Sequence, residues 1–170
     1  MRGAEADHRA VGRARGRAGE ALVLDVAREL AGIGGAGVLK CAQADGDRII
    51  AVIRGSAVNQ DGRSNGLTAP SGAAQTAVLR AALRDAGVNA ADIDFIEAHG
   101  TGTALGDPIE LHAIAEAMAD RREPVRVGAV KSRLGHAESA AGIAGLLAAI
   151  GALRRGRLPR TLHFHSPNPH

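Results

Sequence analysis

Three apolar runs alternate with helical patterns along this chain, and this alternation is the strongest constraint on its fold. Residues 48–54, 93–98 and 125–130 are rich in Ile, Val and Ala and predict strands. They lack a regular polar/apolar alternation, which is typical of parallel strands buried on both faces. Because strands and helices alternate in the sequence, we expect an α/β fold with a parallel sheet and right-handed crossovers.

Three amphipathic patterns separate or follow these runs and predict helices. The first begins near Ser71, after Pro70, and runs to Gly87, a residue type that often terminates helices. In the second, Asp107 and Glu110 have the spacing of a capping box, so we expect helix caps here rather than catalytic acids. The apolar residues expected to face the core are Leu79, Leu83 and Ala86 in the first helix, Leu111, Ile114, Ala115 and Met118 in the second, and Ile143, Leu146, Leu147 and Ile150 in the third.

The composition restricts both the core and the class of ligand. The chain has 170 residues, enough for one domain, and it contains two Phe and no Trp or Tyr, so smaller apolar residues must form the core. The net charge of +3 comes from scattered arginines without interleaved aromatics, which argues against nucleic-acid binding. We expect residues 1–20, rich in Arg, Gly and Ala, to be disordered.

Cysteine usage and hydropathy favour a cytoplasmic protein. A single cysteine, Cys41, excludes an intramolecular disulfide and a cysteine-cluster metal site. No apolar run is long enough to span a membrane, and the histidines near the end of the chain lack the spacing of metal ligands. Residues 32–37 satisfy the pattern G-x-G-x-x-G, but we expect residues 38–40 to continue as a strand where that pattern needs a helix, which disfavours nucleotide binding.

Two histidines occupy positions where catalytic groups collect in α/β folds. His99 begins the segment HGTGT at residues 99–103, and His136 ends the segment KSRLGH at residues 131–136. Each follows a predicted strand, and strand ends hold side chains rigidly while the adjoining loops leave room for a ligand. A structural histidine is the alternative at either position alone, but the two together predict an active site.

Three motifs carry a family resemblance. They are NQDGRSNGLTAP at residues 59–70, EAHGTGTALGDPIE at residues 97–110, and VKSRLGHAESAAG at residues 130–142. In this order and spacing they resemble the C-terminal half of a β-ketoacyl synthase, the condensing domain of modular type I polyketide synthases. The resemblance implies a thiolase-like half-domain over residues 34–170, lacking the first half and the final strand, and leaves residues 1–33 unassigned.

The resemblance also implies a reaction and roles for the retained residues. Ketosynthases join an acyl-cysteine to a malonyl-type carrier-protein thioester by decarboxylative Claisen condensation, in polyketide or fatty-acid biosynthesis. His99 and His136 would stabilise the enolate oxygen, as oxyanion donors do. Lys131 would support them electrostatically, because a nearby cation disfavours the charged imidazole, or it would pair with Glu110.

Further expectations concern the ligand and the partners. Thr101 and Thr103 would contact the phosphopantetheine arm of an acyl carrier protein, although a simple glycine-threonine turn is the alternative. No metal or organic cofactor is expected beyond that arm. Family members form homodimers, but much of that interface belongs to the other half.

The catalytic cysteine of the family lies in a motif of the first half that is absent here, and the surroundings of Cys41 do not match it. We therefore expect the isolated chain to be inactive. Two alternatives remain open: a non-catalytic module that binds a carrier protein or complements a separate N-terminal half, and a truncated remnant without function. Exposed apolar surface would favour a half-domain that needs a partner.

Overall fold

The computed structural model describes residues 36–60, 70–166 and 168 and confirms the α/β class. The strands β1 (Phe95–Glu97) and β2 (Arg126–Gly128) pair in parallel, with Phe95 opposite Arg126. The helices are α1 (Ala36–Asp45), α2 (Gly72–Ala86), α3 (Gly106–Ala117), α4 (Lys131–Leu134) and α5 (Ala141–Arg155), with single 3-10 turns at Ala90–Asp92 and Glu138–Ala140. Over these described residues, no helix combines the length and the apolar character that a membrane span requires.

Helix α2 has the predicted bounds because both of its ends are capped locally. The Ser71 hydroxyl accepts a hydrogen bond from the backbone N–H of Ala74 at 3.3 Å. At the other end Gly87 adopts φ 63°, and its N–H bonds carbonyls of the last turn. Such a left-handed residue is favourable for glycine and strained for other residues, so the helix stops where the glycine stands.

The core lies between α2, α3 and one face of β1. Ile96 of β1 is 2% exposed and packs in this core, whereas the neighbouring Glu97 lies against α5. Successive residues of a strand point to opposite faces, so β1 is covered on both sides. The buried residues of the core are Leu79, Ala82, Leu83, Ala86, Val88, Ile93, Ile96, Ala98, Ile114, Ala117 and Met118.

The strand predicted over residues 48–54 is wrong, since this segment has no regular secondary structure. Within the described residues the sheet contains only β1 and β2, so residues 48–54 lack the paired backbone that a strand needs. Instead, the segment leads to a close crossing of the end of α2, where a Cβ on Gly55 would lie 2.3 Å from the backbone nitrogen of Ala86. The N–H of Ser56 then donates to the Asp85 carboxylate at 2.7 Å.

The strand predicted over residues 38–40 is also wrong, because these residues belong to helix α1. Residues 32–35 of the glycine-rich pattern lie outside the described residues, as do residues 61–69 of the first family motif. Cys41 therefore stands on a helix rather than after a strand, and its thiol is free and exposed.

Helix α5 exists as predicted but buries a different face. Its buried residues are small, among them Ala141, Gly145 and Ala149, whereas Ile143 and Leu147 are 45% and 62% exposed. The reason is the close approach of β1, because a Cβ on Gly145 would lie only 3.3 Å from Cγ of Glu97. Large side chains cannot fit on the face that touches the sheet.

Helix α3 also buries a face that differs in part from the predicted one. Ile114 and Met118 are buried as predicted, together with Ala113 and Ala117. Leu111 is 47% exposed, and Ala115 is exposed as well. Of the residues predicted to face the core, Ile114 and Met118 do so, whereas Leu111 and Ala115 do not.

Two large apolar residues of α3, one buried and one exposed, provide a matched test of this packing. We expect Ile114→Ala to lower the free energy of unfolding of the full chain by about 2–5 kcal/mol, because it leaves a cavity in the core. Leu111→Ala removes a half-exposed side chain from the same helix and should change that free energy by no more than about 0.5 kcal/mol. Urea unfolding followed by circular dichroism measures both, and equal losses would contradict the observed orientation of α3.

Candidate active site

The structure brings the two predicted histidines into contact. The ring centroids of His99 and His136 are 5.4 Å apart, and the rings meet edge to face at 80°. His99 lies just beyond the end of β1, as predicted, and His136 follows α4. Both side chains are exposed, so a ligand can reach the pair.

The backbone at His99 is held by a carboxylate of α3. Oε1 of Glu110 accepts the N–H of His99 at 2.6 Å, and Oε2 accepts the N–H of Gly100 at 2.9 Å. Hydrogen bonds to an ionised acceptor are among the stronger ones in proteins. The same loop lies close to Ala129. Only a glycine fits at position 100, because its φ is 50° and a Cβ there would lie 2.6 Å from the Cβ of Ala129.

The capping box predicted for α3 is therefore wrong. The helix begins at Gly106, so Asp107 lies within its first turn, and the Asp107 carboxylate accepts the N–H of Gly102 at 3.1 Å. The Thr103 hydroxyl accepts the N–H of Gly106, the first residue of the helix, at 3.1 Å. Both acids bind the preceding loop and not the N-terminus of their own helix.

The predicted ligand-binding threonines lie together and follow His99 in sequence. The hydroxyls of Thr101 and Thr103 are 3.4 Å apart, and both side chains are exposed. Thr103 also accepts the N–H of Gly106 at the start of α3, so at least part of its role is structural. Thr101 has no such bond to the helix among the described contacts.

His136 is oriented by its own loop. Its Nδ1 accepts the backbone N–H of Glu138 at 3.0 Å. Glu138 has φ 48°, an uncommon left-handed conformation for a non-glycine residue, and such strain is concentrated at functional sites. A ring nitrogen that accepts a hydrogen bond carries no proton, so the proton of the neutral ring lies on Nε2.

Lys131 begins the short helix α4 and does not end a strand, which corrects the strand predicted over residues 125–130. Strand β2 stops at Gly128, and Val130 is already helical with φ −61° and ψ −25°. The N–H of Val130 donates to the Glu97 carboxylate, so it cannot continue the ladder to β1. Lys131 is half-buried, and no ion pair with Glu110 within 4.0 Å is found in the described part of the chain.

Glu97 is a site residue that the sequence analysis did not identify. It is 7% exposed and accepts the Val130 N–H. Burial raises the pKa of this carboxyl above its ordinary value of 4.5, while the Val130 hydrogen bond and the charge of Lys131 oppose that rise. A signal was present in the sequence, since an acidic residue interrupts a strand predicted to be buried on both faces.

The segment that follows α5 packs across α4. The Ser132 hydroxyl donates to the carbonyl of Ala129 at 2.8 Å and accepts the N–H of Leu162 at 3.1 Å. The Arg133 guanidinium donates to the carbonyl of Arg160. These bonds tie the turn that carries His136 to the end of the described chain.

Comparison with known proteins identifies this arrangement. The family described as "Beta-ketoacyl synthase, C-terminal domain" matches residues 50–165. The chain belongs to the β-ketoacyl synthase family. Erythronolide synthase EryA3 of Saccharopolyspora erythraea is 56% identical to it over 143 residues, and a phenolphthiocerol/phthiocerol polyketide synthase of Mycobacterium tuberculosis is 54% identical over 144 residues.

Solved ketosynthases share the fold. The oxazolomycin ketosynthase domain OzmH KS7 of Streptomyces albus superposes with a TM-score of 0.73 at 42% identity, covering 76% of this chain and 23% of that one. A keto synthase–chain length factor, PfaC, gives a TM-score of 0.72 at 37% identity, covering 75% of this chain and 14% of that one. The resemblance to polyketide ketosynthases and the predicted thiolase-like class are confirmed.

This ketosynthase chain covers only a small part of its relatives. The matches include 79% and 80% of the chain but only 4% of EryA3 and 8% of the mycobacterial synthase. Its family and fold are therefore established.

The buried carboxyl of Glu97 predicts a pH-dependent stability. The Glu97 carboxyl keeps its proton to higher pH in the folded chain than in the unfolded chain. The stability that this protonated carboxyl contributes is therefore present below pH ~4.5 and is lost as pH rises through the folded-state pKa. Glu97→Gln cannot titrate, so its free energy of unfolding should increase relative to wild type over that window. Denaturant titrations at a series of pH values measure the difference, with the exposed Glu123→Gln as control. A relative decrease for Glu97→Gln would contradict the assignment.

Proposed function

We propose that this chain provides the extender-activating part of a polyketide β-ketoacyl synthase. A malonyl-type thioester on a carrier protein loses CO₂ when the bond between its α-carbon and its carboxylate carbon breaks. The electron pair of that bond forms an enolate at the thioester oxygen. The enolate carbon then attacks the carbonyl of an acyl-cysteine, forming the new carbon–carbon bond and releasing the thiolate.

The contact between His99 and His136 is the observation that carries this proposal. Negative charge develops on one thioester oxygen, and two neutral imidazoles beside each other can donate to it from two directions. His136 is suited to this task because its Nδ1 accepts the Glu138 N–H and its Nε2 keeps the proton. Donors already in place need no reorganisation when the charge forms.

Lys131 and the threonines have supporting roles in this proposal. Lys131 is five residues before His136, on the helix that leads into it, and would be an electrostatic support of the site. Thr101 and Thr103 present exposed hydroxyls beside His99 that would bind the phosphopantetheine arm. The substrate's carrier then supplies the only prosthetic group that the reaction needs.

The acyl-cysteine comes from the other half of the ketosynthase and not from Cys41, the one cysteine of this sequence. Cys41 precedes the residues that match the family, stands exposed on α1 and lacks the sequence surroundings of the family's nucleophile. The partners in this proposal are an acyl carrier protein and the other half of the ketosynthase, with dimerisation through that half. Ile143 and Leu147 support a further partner surface, because they expose apolar area along α5. An apolar helix face of this kind is usually covered in an assembled protein.

Exchange into an active enzyme tests the proposal. Residues 50–165 would replace the matching segment of an active polyketide ketosynthase, and decarboxylation of malonyl-carrier protein would be followed by CO₂ release. We expect the hybrid to be active and expect His99→Ala or His136→Ala to lower kcat by about 10²–10³-fold, the loss typical of an oxyanion donor.

His112→Ala is the matched control, because His112 is an exposed histidine of α3 outside the pair. It should leave the rate unchanged. A folded hybrid whose CO₂ release is unaffected by both substitutions at His99 and His136 would refute the proposed function.

A further inference from the structure

Glu97 is placed between the two histidine segments. It is the one buried charged side chain in the described part of the molecule. Along the chain it stands two residues before His99, at the last position of β1. Through space it reaches Val130, which immediately precedes the helix that leads to His136. A single side chain thus connects the two elements that carry the imidazoles.

The hydrogen bond from Val130 has a clear physical reason. The first N–H groups of a helix have no partner within the helix, and Val130 is 9% exposed, so water does not satisfy its donor. A buried N–H without a partner destabilises a protein, so the bond to the carboxylate oxygen holds this point firmly. The start of α4 is thereby fixed relative to β1.

Gly145 confines the side chain of Glu97 from the other direction. A Cβ at this position would lie 3.3 Å from Cγ of Glu97, so α5 packs directly against the acid. Gly128 on β2 confines the side chain from a second side, because a Cβ at this position would lie 3.6 Å from Oε2 of Glu97. The carboxylate is therefore held between β2, α4 and α5 and has little freedom to move.

We propose that Glu97 is a positioning residue for the histidine pair: by accepting the Val130 N–H, it fixes the turn before His136 and so maintains the contact between His99 and His136. The acceptor oxygen is what matters, so glutamine can replace glutamate and alanine cannot. The consequence for rate depends on the proposed function, whereas the consequence for the ring contact does not.

The test compares three variants of the full chain by NMR. Nuclear Overhauser contacts between the His99 and His136 rings are measured in selectively labelled protein. We expect Glu97→Ala to lose these contacts and Glu97→Gln to retain them. Met118→Ala controls for general destabilisation, because it opens a cavity in the core away from the site, and it should retain the contacts.

The same substitutions in the hybrid ketosynthase test the effect on rate. Displacement of a catalytic group by about 1 Å lowers rates by about 100-fold, so Glu97→Ala should lower kcat by that order. Glu97→Gln should restore the rate. If His99 and His136 prove unimportant for CO₂ release, the proposed function fails, and the ring contacts still decide the role of Glu97.

Val130→Pro provides a second variant if Glu97→Ala does not fold. Val130 has φ −61°, which proline adopts, and proline has no N–H to donate. We expect this variant also to lose the contact between the rings. Intact ring contacts in folded Glu97→Ala or Val130→Pro would overturn the proposal, as would their loss in Glu97→Gln.

Discussion

The burial of β1 on both faces is the constraint on which the rest of the structure depends. Ile96 packs into the core against α2 and α3, and Glu97 lies against α5 on the opposite face. Because the strand is only three residues long, its position is set more by this packing than by its pairing with β2. The strand in turn fixes the position of His99, which lies two residues beyond its end. The helices on either side therefore act together to place the first half of the histidine pair.

Carboxylates bonded to backbone N–H groups then build the site from that strand. Glu110 holds His99 and Gly100, Asp107 holds Gly102, and Glu97 holds Val130. Each bond joins an element of secondary structure to a loop whose own backbone donors would otherwise lack partners. The acids of this region are thus structural acceptors that position the loops, and both imidazoles lie exposed at the surface. This division of roles suits a site in which charge develops on the substrate and the protein supplies N–H donors.

Features determined by local chemistry could be predicted from the sequence, and features determined by packing between distant segments could not. The ends of α2 follow from Ser71 and Gly87, and the histidine pair followed from its motifs. The exposed face of α5 was missed because large apolar residues normally face inward, whereas the close approach of Glu97 at Gly145 allows only small ones. The spacing from Asp107 to Glu110 is that of a capping box, so the sequence predicted a helix cap. In the structure the Glu110 carboxylate instead accepts the N–H of His99, which depends on the path of the preceding loop.

The central claim is that His136 presents a proton on Nε2 beside His99. Histidine ¹⁵N spectra of the full chain at neutral pH test this claim most directly, because protonated and unprotonated ring nitrogens resonate at different frequencies. The account predicts an unprotonated Nδ1 and a protonated Nε2 for His136, as the hydrogen bond from Glu138 requires. A His136 ring with its proton on Nδ1 would contradict the account, since His136 would then offer the enolate oxygen no Nε2 donor beside His99.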